Sequence, residues 1–175
     1  METRDLLLTA FDDIEGFVRG ALGGIDPALL TARLDPDANT IAWLVWHLTR
    51  VQDDHVAELA GVEQAYTAAG WADRFALPFP AGAHGYGFSS EDVGRTRVTD
   101  PQLLLDYHAD VHRRTADFLR SLTPADLDRV VDRRWDPPVT LGVRLVSVIG
   151  DDFQHAGQAA FLRGVLERRG PATRR

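Results

Sequence analysis

Four long stretches of this 175-residue chain repeat apolar residues at steps of three and four, and this pattern constrains the fold more than any other feature. The stretches run from about Arg4 to Ala21, Thr40 to Ala60, Pro101 to Leu122 and Leu141 to Arg168. Such spacing places apolar side chains on one face of an α-helix. No stretch alternates apolar and polar residues as a half-buried strand would, so the sequence predicts an all-α, four-helix bundle.

Residues at the ends of these stretches are typical of helix caps. Thr3, Asp100 and Thr140 are predicted N-caps, with Pro101 at a first helical position. Glycine follows three of the helices, at residues 23–24, 61 and 170, and is predicted to stop them.

A long loop separates the second and third predicted helices, from Glu63 to Thr99. Connections longer than about 12–15 residues are uncommon unless they are functional or disordered. The loop is rich in aromatic residues as well as glycine and proline, which favours a packed loop with a short helical turn starting near Ser90. His84 lies in its glycine-rich part, Gly82–Phe88, which could fold over a site.

Length and charge restrict the class of protein. We expect one domain over residues 1–170 and a flexible tail over 171–175, with roughly 70% of the unfolded surface buried on folding. The amino terminus does not resemble a signal peptide, and no apolar run reaches the roughly 18 residues that span a bilayer, so we expect a cytoplasmic protein without membrane contact. The net charge of −7 argues against nucleic-acid binding.

The chain contains no cysteine. It therefore has no thiol nucleophile of its own and no thiolate ligand for a metal. Histidine, carboxylate and water remain as possible ligands.

Asp151 and His155 are one helical turn apart, so their Cβ atoms should lie about 5–6 Å from each other on one face. Both could bind one cation. The third ligand would be His47, because it lies in the apolar run Trp43–Leu48, where a solvated histidine would be out of place. Two histidines and one aspartate would leave positions open for water or substrate, as in catalytic sites. The alternative is that these histidines are ordinary hydrogen-bonded residues.

Further residues follow the same helical lines. Asp54 lies two turns after His47, at the edge of the apolar face. Gln158 could orient a ligand from its own helix. Gly150 and Gly157 flank the ligand pair, and a close backbone approach would explain at least one of them.

Four other histidines compete for a role. His108 and His112 are also four residues apart, but their charged neighbours favour a polar helix face. His55 and His84 could face a substrate or lie on the surface.

Two segments, Asn39–His55 and Asp151–Gly164, resemble the signature helices of the DinB-like superfamily, and more narrowly its actinobacterial branch near the mycothiol-dependent enzymes (maleylpyruvate isomerase N-terminal-like). The resemblance implies a bundle whose second and fourth helices hold a divalent metal through three residues, commonly histidines. His47 matches the first ligand and His155 the last. Asp151 stands where many members have histidine and some mycothiol-dependent members have glutamate, which leaves Zn²⁺, Ni²⁺, Mn²⁺ and Fe²⁺ open.

The leading hypothesis is therefore a transferase or isomerase in which the metal activates the thiol of a low-molecular-weight cofactor such as mycothiol. Asp54 is the candidate general base. Arg50 or Arg163 would bind the carboxylates of the thiol.

Two alternatives remain open: a metal-dependent hydrolase that uses water in place of the thiol, and a non-catalytic, stress-related helical binding domain with a structural metal. The expected partners are small molecules. A homodimer is also left open, since such bundles often pair through exposed apolar strips.

Overall fold

The computed structural model describes residues 2–169, which form eight α-helices and one small sheet. The helices are α1 (Thr3–Leu22), α2 (Pro27–Leu30), α3 (Ile41–Ala60), α4 (Ala65–Ala68), α5 (Trp71–Phe75), α6 (Ser90–Arg95), α7 (Pro101–Ser121) and α8 (Leu141–Arg169). The four long helices are the predicted ones, and they form the bundle. The all-α prediction is thus confirmed.

Each long helix packs against two others. Helix α3 contacts α8 and α7, and α1 contacts the same two helices. The buried stripes meet in two apolar clusters, one around Trp46, Leu104 and Leu162 and the other around Phe11 and Leu145. The contact between α3 and α8 brings the two helices that carry the predicted ligands side by side.

Two of the three predicted N-caps are confirmed, Asp100 at α7 and Thr140, whose Oγ1 accepts from the Val143 amide at 3.4 Å, and so is the predicted stop at Gly61. Thr40 Oγ1 accepts a hydrogen bond from the Trp43 amide at the start of α3, and Gly61 ends that helix in the left-handed region at φ 68°. Asp100 caps α7. Helix α1 differs, because Glu2 rather than Thr3 is its N-cap and forms a capping box with Asp5.

The long loop is packed, as predicted. It contains α4, α5 and α6, and its aromatic side chains cover one side of α7. Tyr66, Trp71 and Phe75 are buried with ring centroids 5.4–5.5 Å from that of Tyr107. The predicted turn near Ser90 is α6, with Ser89 as its cap.

Two short strands, β1 (Val130–Asp132) and β2 (Val139–Thr140), form an antiparallel hairpin that the sequence pattern did not predict. Strands of three and two residues are too short to show a clear alternation. A 3₁₀ helix, Pro124–Asp128, precedes them where a capped turn was predicted. The hairpin lies between α7 and α8 in the chain.

The predicted tail at 171–175 and the stop at Gly170 lie outside the described residues. Within 2–169, no helix combines the length and apolar character needed to cross a membrane.

Candidate metal centre

The structure brings the three predicted ligands together. Each of His47, Asp151 and His155 offers an atom, and these atoms all lie within 4.8 Å of one another. Helix α8 supplies two of them from a single turn, and α3 supplies the third. The pairing of α3 with α8 therefore creates a group that neither helix has alone.

His47 presents a free lone pair to this group. Its Nδ1 is 2.5 Å from the carbonyl oxygen of His84, and a carbonyl only accepts, so Nδ1 carries the proton. Burial lowers the pKa of His47, which favours the neutral ring. Its Nε2 is then an unprotonated donor of an electron pair, the form that binds a metal.

His155 is oriented in the same way. Its Nδ1 donates to Oε1 of Gln158 at 2.9 Å, as predicted for Gln158, and its Nε2 lies 3.7 Å from Asp151 Oδ1. The other carboxylate oxygen of Asp151 is buried without a hydrogen-bond partner. Two imidazole nitrogens and an unsatisfied carboxylate therefore converge with no proton donor among them, which fits a cation.

Asp151 and Asp152 differ sharply although they are adjacent. Asp152 has no exposed surface, and burial raises its pKa well above the ordinary value. Asp151 reaches the ligand group instead. Asp151 is therefore the candidate ligand, and Asp152 is not.

Trp43, which was not predicted as a site residue, contacts both imidazoles. Its ring stacks on His47 with centroids 4.6 Å apart and planes 14° apart, and it meets His155 edge-on at 5.9 Å. The available signal was its position four residues before His47, on the same helix face.

Gly85 is the glycine that permits a close approach. Its φ is +93°, and a Cβ there would lie 2.8 Å from His47 Nδ1 and 3.2 Å from Trp46 Cζ3. The predicted close approach at Gly150 or Gly157 is wrong, because an added Cβ would meet no atom within 4 Å at either position. The tight contact is made by the loop and not by α8.

A cavity of about 550 Å³ opens beside the ligand group, within the size range of small-molecule sites. Asp54, His55 and His84 all face it. Asp54 Oδ1 accepts a hydrogen bond from Gln64 Nε2 at 2.6 Å, which fixes the carboxylate. The lining residues are His47, Val51, Asp54, His55, His84, Tyr86, Arg134, Ser147, Val148 and Asp151.

Arg50 is not among these lining residues and has no exposed surface. It donates to the carbonyl oxygens of Ala83 at 3.1 Å and Ala81 at 3.4 Å, and to Gln64 Oε1 at 2.7 Å. It also pairs with the buried Asp53 at 3.3 Å. Because its donors are used within the fold, Arg50 is placed to anchor the loop and not to bind a cofactor.

Arg163 also lies away from the cavity. Its Nη1 donates to three carbonyl oxygens at the end of α1, those of Gly20, Ala21 and Gly23, at 2.8–3.2 Å. Its Nε binds Glu167. Arg163 thus satisfies the last carbonyls of α1, and the structure does not bring it to the candidate site.

The rival pair on α7 is not part of the ligand group. His112 Nε2 is 3.1 Å from Asp12 Oδ1, which agrees with the predicted carboxylate neighbours. His108, however, is buried and hydrogen-bonded to Thr49, so the predicted polar face is wrong for that residue.

Comparisons with known proteins agree with this architecture. A family model described as the DinB superfamily matches residues 3–159. The crystal structure of a conserved protein from Enterococcus faecalis is similar, with a TM-score of 0.89 and 28% sequence identity over 96% of this chain and 99% of that one. No curated protein matches. The chain belongs to the DinB superfamily.

Proposed function

We propose that this protein is a divalent-metal-dependent transferase or isomerase that activates a low-molecular-weight thiol, with mycothiol as the expected type. The observation that carries the proposal is the convergence of His47, Asp151 and His155 beside an open cavity. Three protein ligands at an accessible site are typical of catalytic centres. The chain has no cysteine, so a thiol would have to come from a second molecule.

The donor set suits a divalent transition metal, since nitrogen and oxygen ligands bind Zn²⁺, Ni²⁺, Mn²⁺ and Fe²⁺. The hydrogen bonds from both imidazole Nδ1 atoms hold the rings with Nε2 free. When bound, the cation would supply Lewis-acid activation and lower the pKa of a thiol or of water.

Asp54 is the residue that we propose accepts the proton. It lines the same cavity as His47 and Asp151, and its Oδ1 is held by Gln64. A positioned general base contributes about 10²–10⁴-fold to a rate. Asp54→Asn should therefore lower kcat by about that factor while the metal content stays unchanged. Asp37→Asn, an exposed carboxylate outside the cavity, is the control.

The direct test is turnover by the metal-loaded protein with a panel of thiols, namely mycothiol, glutathione and cysteine, and monobromobimane as the electrophile. We expect metal-dependent consumption of at least one thiol. Hydrolysis of an ester panel without any thiol would favour the hydrolase, which the same site and base could also serve. Neither activity, with metal present, would favour a binding domain.

Exposed apolar residues on α1 and α8 support the proposal of a homodimer. Phe17, Val146 and Phe161 have 53%, 62% and 67% of their surface exposed. Light scattering at micromolar concentration tests this, and a monomer would refute it.

A further inference from the structure

The cavity beside the ligand group has a second functional feature, which we call the arginine wall: His55, Asp132, Arg134 and Arg144. His55 and Arg134 line the cavity, while Asp132 and Arg144 support them from behind. Helix α3, the hairpin segment and α8 each contribute to it. Nothing in the proposed metal chemistry uses these residues.

Asp132 organises the two arginines. Its carboxylate accepts from Arg134 Nε at 2.9 Å and Arg134 Nη2 at 2.7 Å, and from Arg144 Nη2 at 3.1 Å. These hydrogen bonds, those of Arg134 first, hold the pKa of Asp132 well below its ordinary value. The two arginines share this carboxylate, and Arg144 also pairs with the exposed Glu58 at 3.9 Å, so the four charges cancel.

Arg134 keeps donors available at this wall. Asp132 occupies Nε and Nη2 in a two-point contact, which fixes the plane of the guanidinium. No hydrogen bond of Nη1 is found within residues 2–169, and the side chain is 83% exposed. Its Nη1 hydrogens can therefore bind an acceptor in the cavity.

The tautomer of His55 follows from its contact with Arg144. Arg144 Nη1 lies 3.1 Å from His55 Nδ1, and a guanidinium only donates, so Nδ1 must accept. The proton of the neutral ring is then on Nε2. Because His55 lines the cavity, it offers an N–H donor to whatever binds there.

We propose that the arginine wall binds the carboxylate of the small molecule that meets the metal centre, through Arg134 Nη1 and His55 Nε2. Both groups donate, and a carboxylate has two oxygens to accept. Because the charges of the wall are balanced, it offers directed N–H donors and no excess of positive charge. A singly charged carboxylate therefore fits better than a dianion such as phosphate, which Asp54 and Asp151 in the same cavity would repel more strongly. This inference rests on the proposed function and assigns to Arg134 the role first expected of Arg50 or Arg163.

The test compares matched ligands of the Co²⁺-loaded protein by calorimetry. Mercaptopropionate and mercaptohexanoate are titrated beside mercaptopropanol and mercaptohexanol, which lack only the carboxylate. We expect at least one acid to bind about tenfold or more tightly than its alcohol, the size of a hydrogen bond to a charged group. The charge-transfer absorption that sulfur gives to Co²⁺ reports separately whether the thiol reaches the metal.

Three variants test which residues cause the tighter binding of the acids. Arg134→Gln and His55→Phe should each remove most of it and leave the affinity for the alcohols unchanged. Arg133→Gln should keep it, since Arg133 is an exposed neighbour that does not line the cavity. Melting curves check that all three variants are folded.

The outcomes separate the two proposals. Equal affinity for acids and alcohols, or a preference that survives in Arg134→Gln, overturns the carboxylate inference even if the thiols give the cobalt signal. If no thiol gives that signal, the thiol proposal fails, and butyrate against butyramide then tests the wall alone. A butyrate preference that Arg134→Gln abolishes supports the wall, and its absence refutes it.

Discussion

Gly85→Ala tests whether the loop orients the metal ligand His47. An alanine Cβ would lie 2.8 Å from His47 Nδ1, about 0.6 Å inside the 3.4 Å at which ordinary contact begins. The ring has little room to retreat, because it is stacked on Trp43 at 4.6 Å. Either the loop or the ring must move, and the hydrogen bond to the His84 carbonyl is then lost.

The expected magnitude has two parts. The positive φ costs an alanine about 1–2 kcal/mol of folding stability, which lowers the Tm of a domain of this size by about 2–8 °C. Loss of the hydrogen bond that orients a ligating histidine lowers metal affinity by about 10–100-fold. Gly85→Ala should show both effects.

Gly87→Ala is the matched control. Gly87 also has a positive φ, +74°, but a Cβ there would meet no atom within 4 Å. It should therefore lose stability and keep its metal affinity. Competition with a chromophoric chelator measures Zn²⁺ affinity, and melting curves of the metal-free proteins measure stability. Equal Zn²⁺ affinity in the two variants would refute the orienting role of the loop.

Three further predictions follow from the contacts described above. Elemental analysis should find about one divalent cation per chain, which His47→Ala or His155→Ala removes and His112→Ala retains; a metal-free wild-type protein would contradict this. Arg50→Met leaves the buried carboxylate of Asp53 without its cationic partner, so the free energy of unfolding, measured with denaturant, should fall by about 3–5 kcal/mol. A fall below about 1 kcal/mol would mean that the ion pair is dispensable. Burial lowers the pKa of His108 to about 3, so the unfolded chain binds a proton below about pH 6.5 that the folded chain does not, and this residue should reduce stability by up to about 1.4 kcal/mol per pH unit as the pH falls from 6.5 towards 3. Urea unfolding at pH 7 and pH 5 should show that this dependence is smaller in His108→Gln, and an equal dependence would refute it.

The parts of the fold that depend on local chemistry could be predicted from the sequence. Gly61, Asp100 and Thr140 act on the backbone within four residues of themselves, so their types reveal the helix ends. The ligand pair on α8 was equally accessible, because a spacing of four residues fixes proximity on a helix.

What could not be predicted depends on contacts between distant segments. The hydrogen-bond partner of His47 is the backbone carbonyl of His84. Every residue has such a carbonyl, so the residue types could not identify this partner. Arg50 was expected to bind a cofactor because its charge is visible in the sequence, whereas its burial against the loop is not. Arg134 lies between β1 and β2, and these strands are too short to recognise from the sequence. Its position at the cavity could therefore not be predicted.

The division of the ligands between two helices also governs the order of assembly. One turn of α8 presents Asp151 and His155 as soon as that turn forms, but His47 joins them only after α3 has docked. Separation of α3 from α8 would take His47 away from the pair on α8, and a bound ion would lose one of its three ligands. Metal binding should therefore make local opening of this helix pair rarer, because the ion binds the docked form more tightly than the opened one.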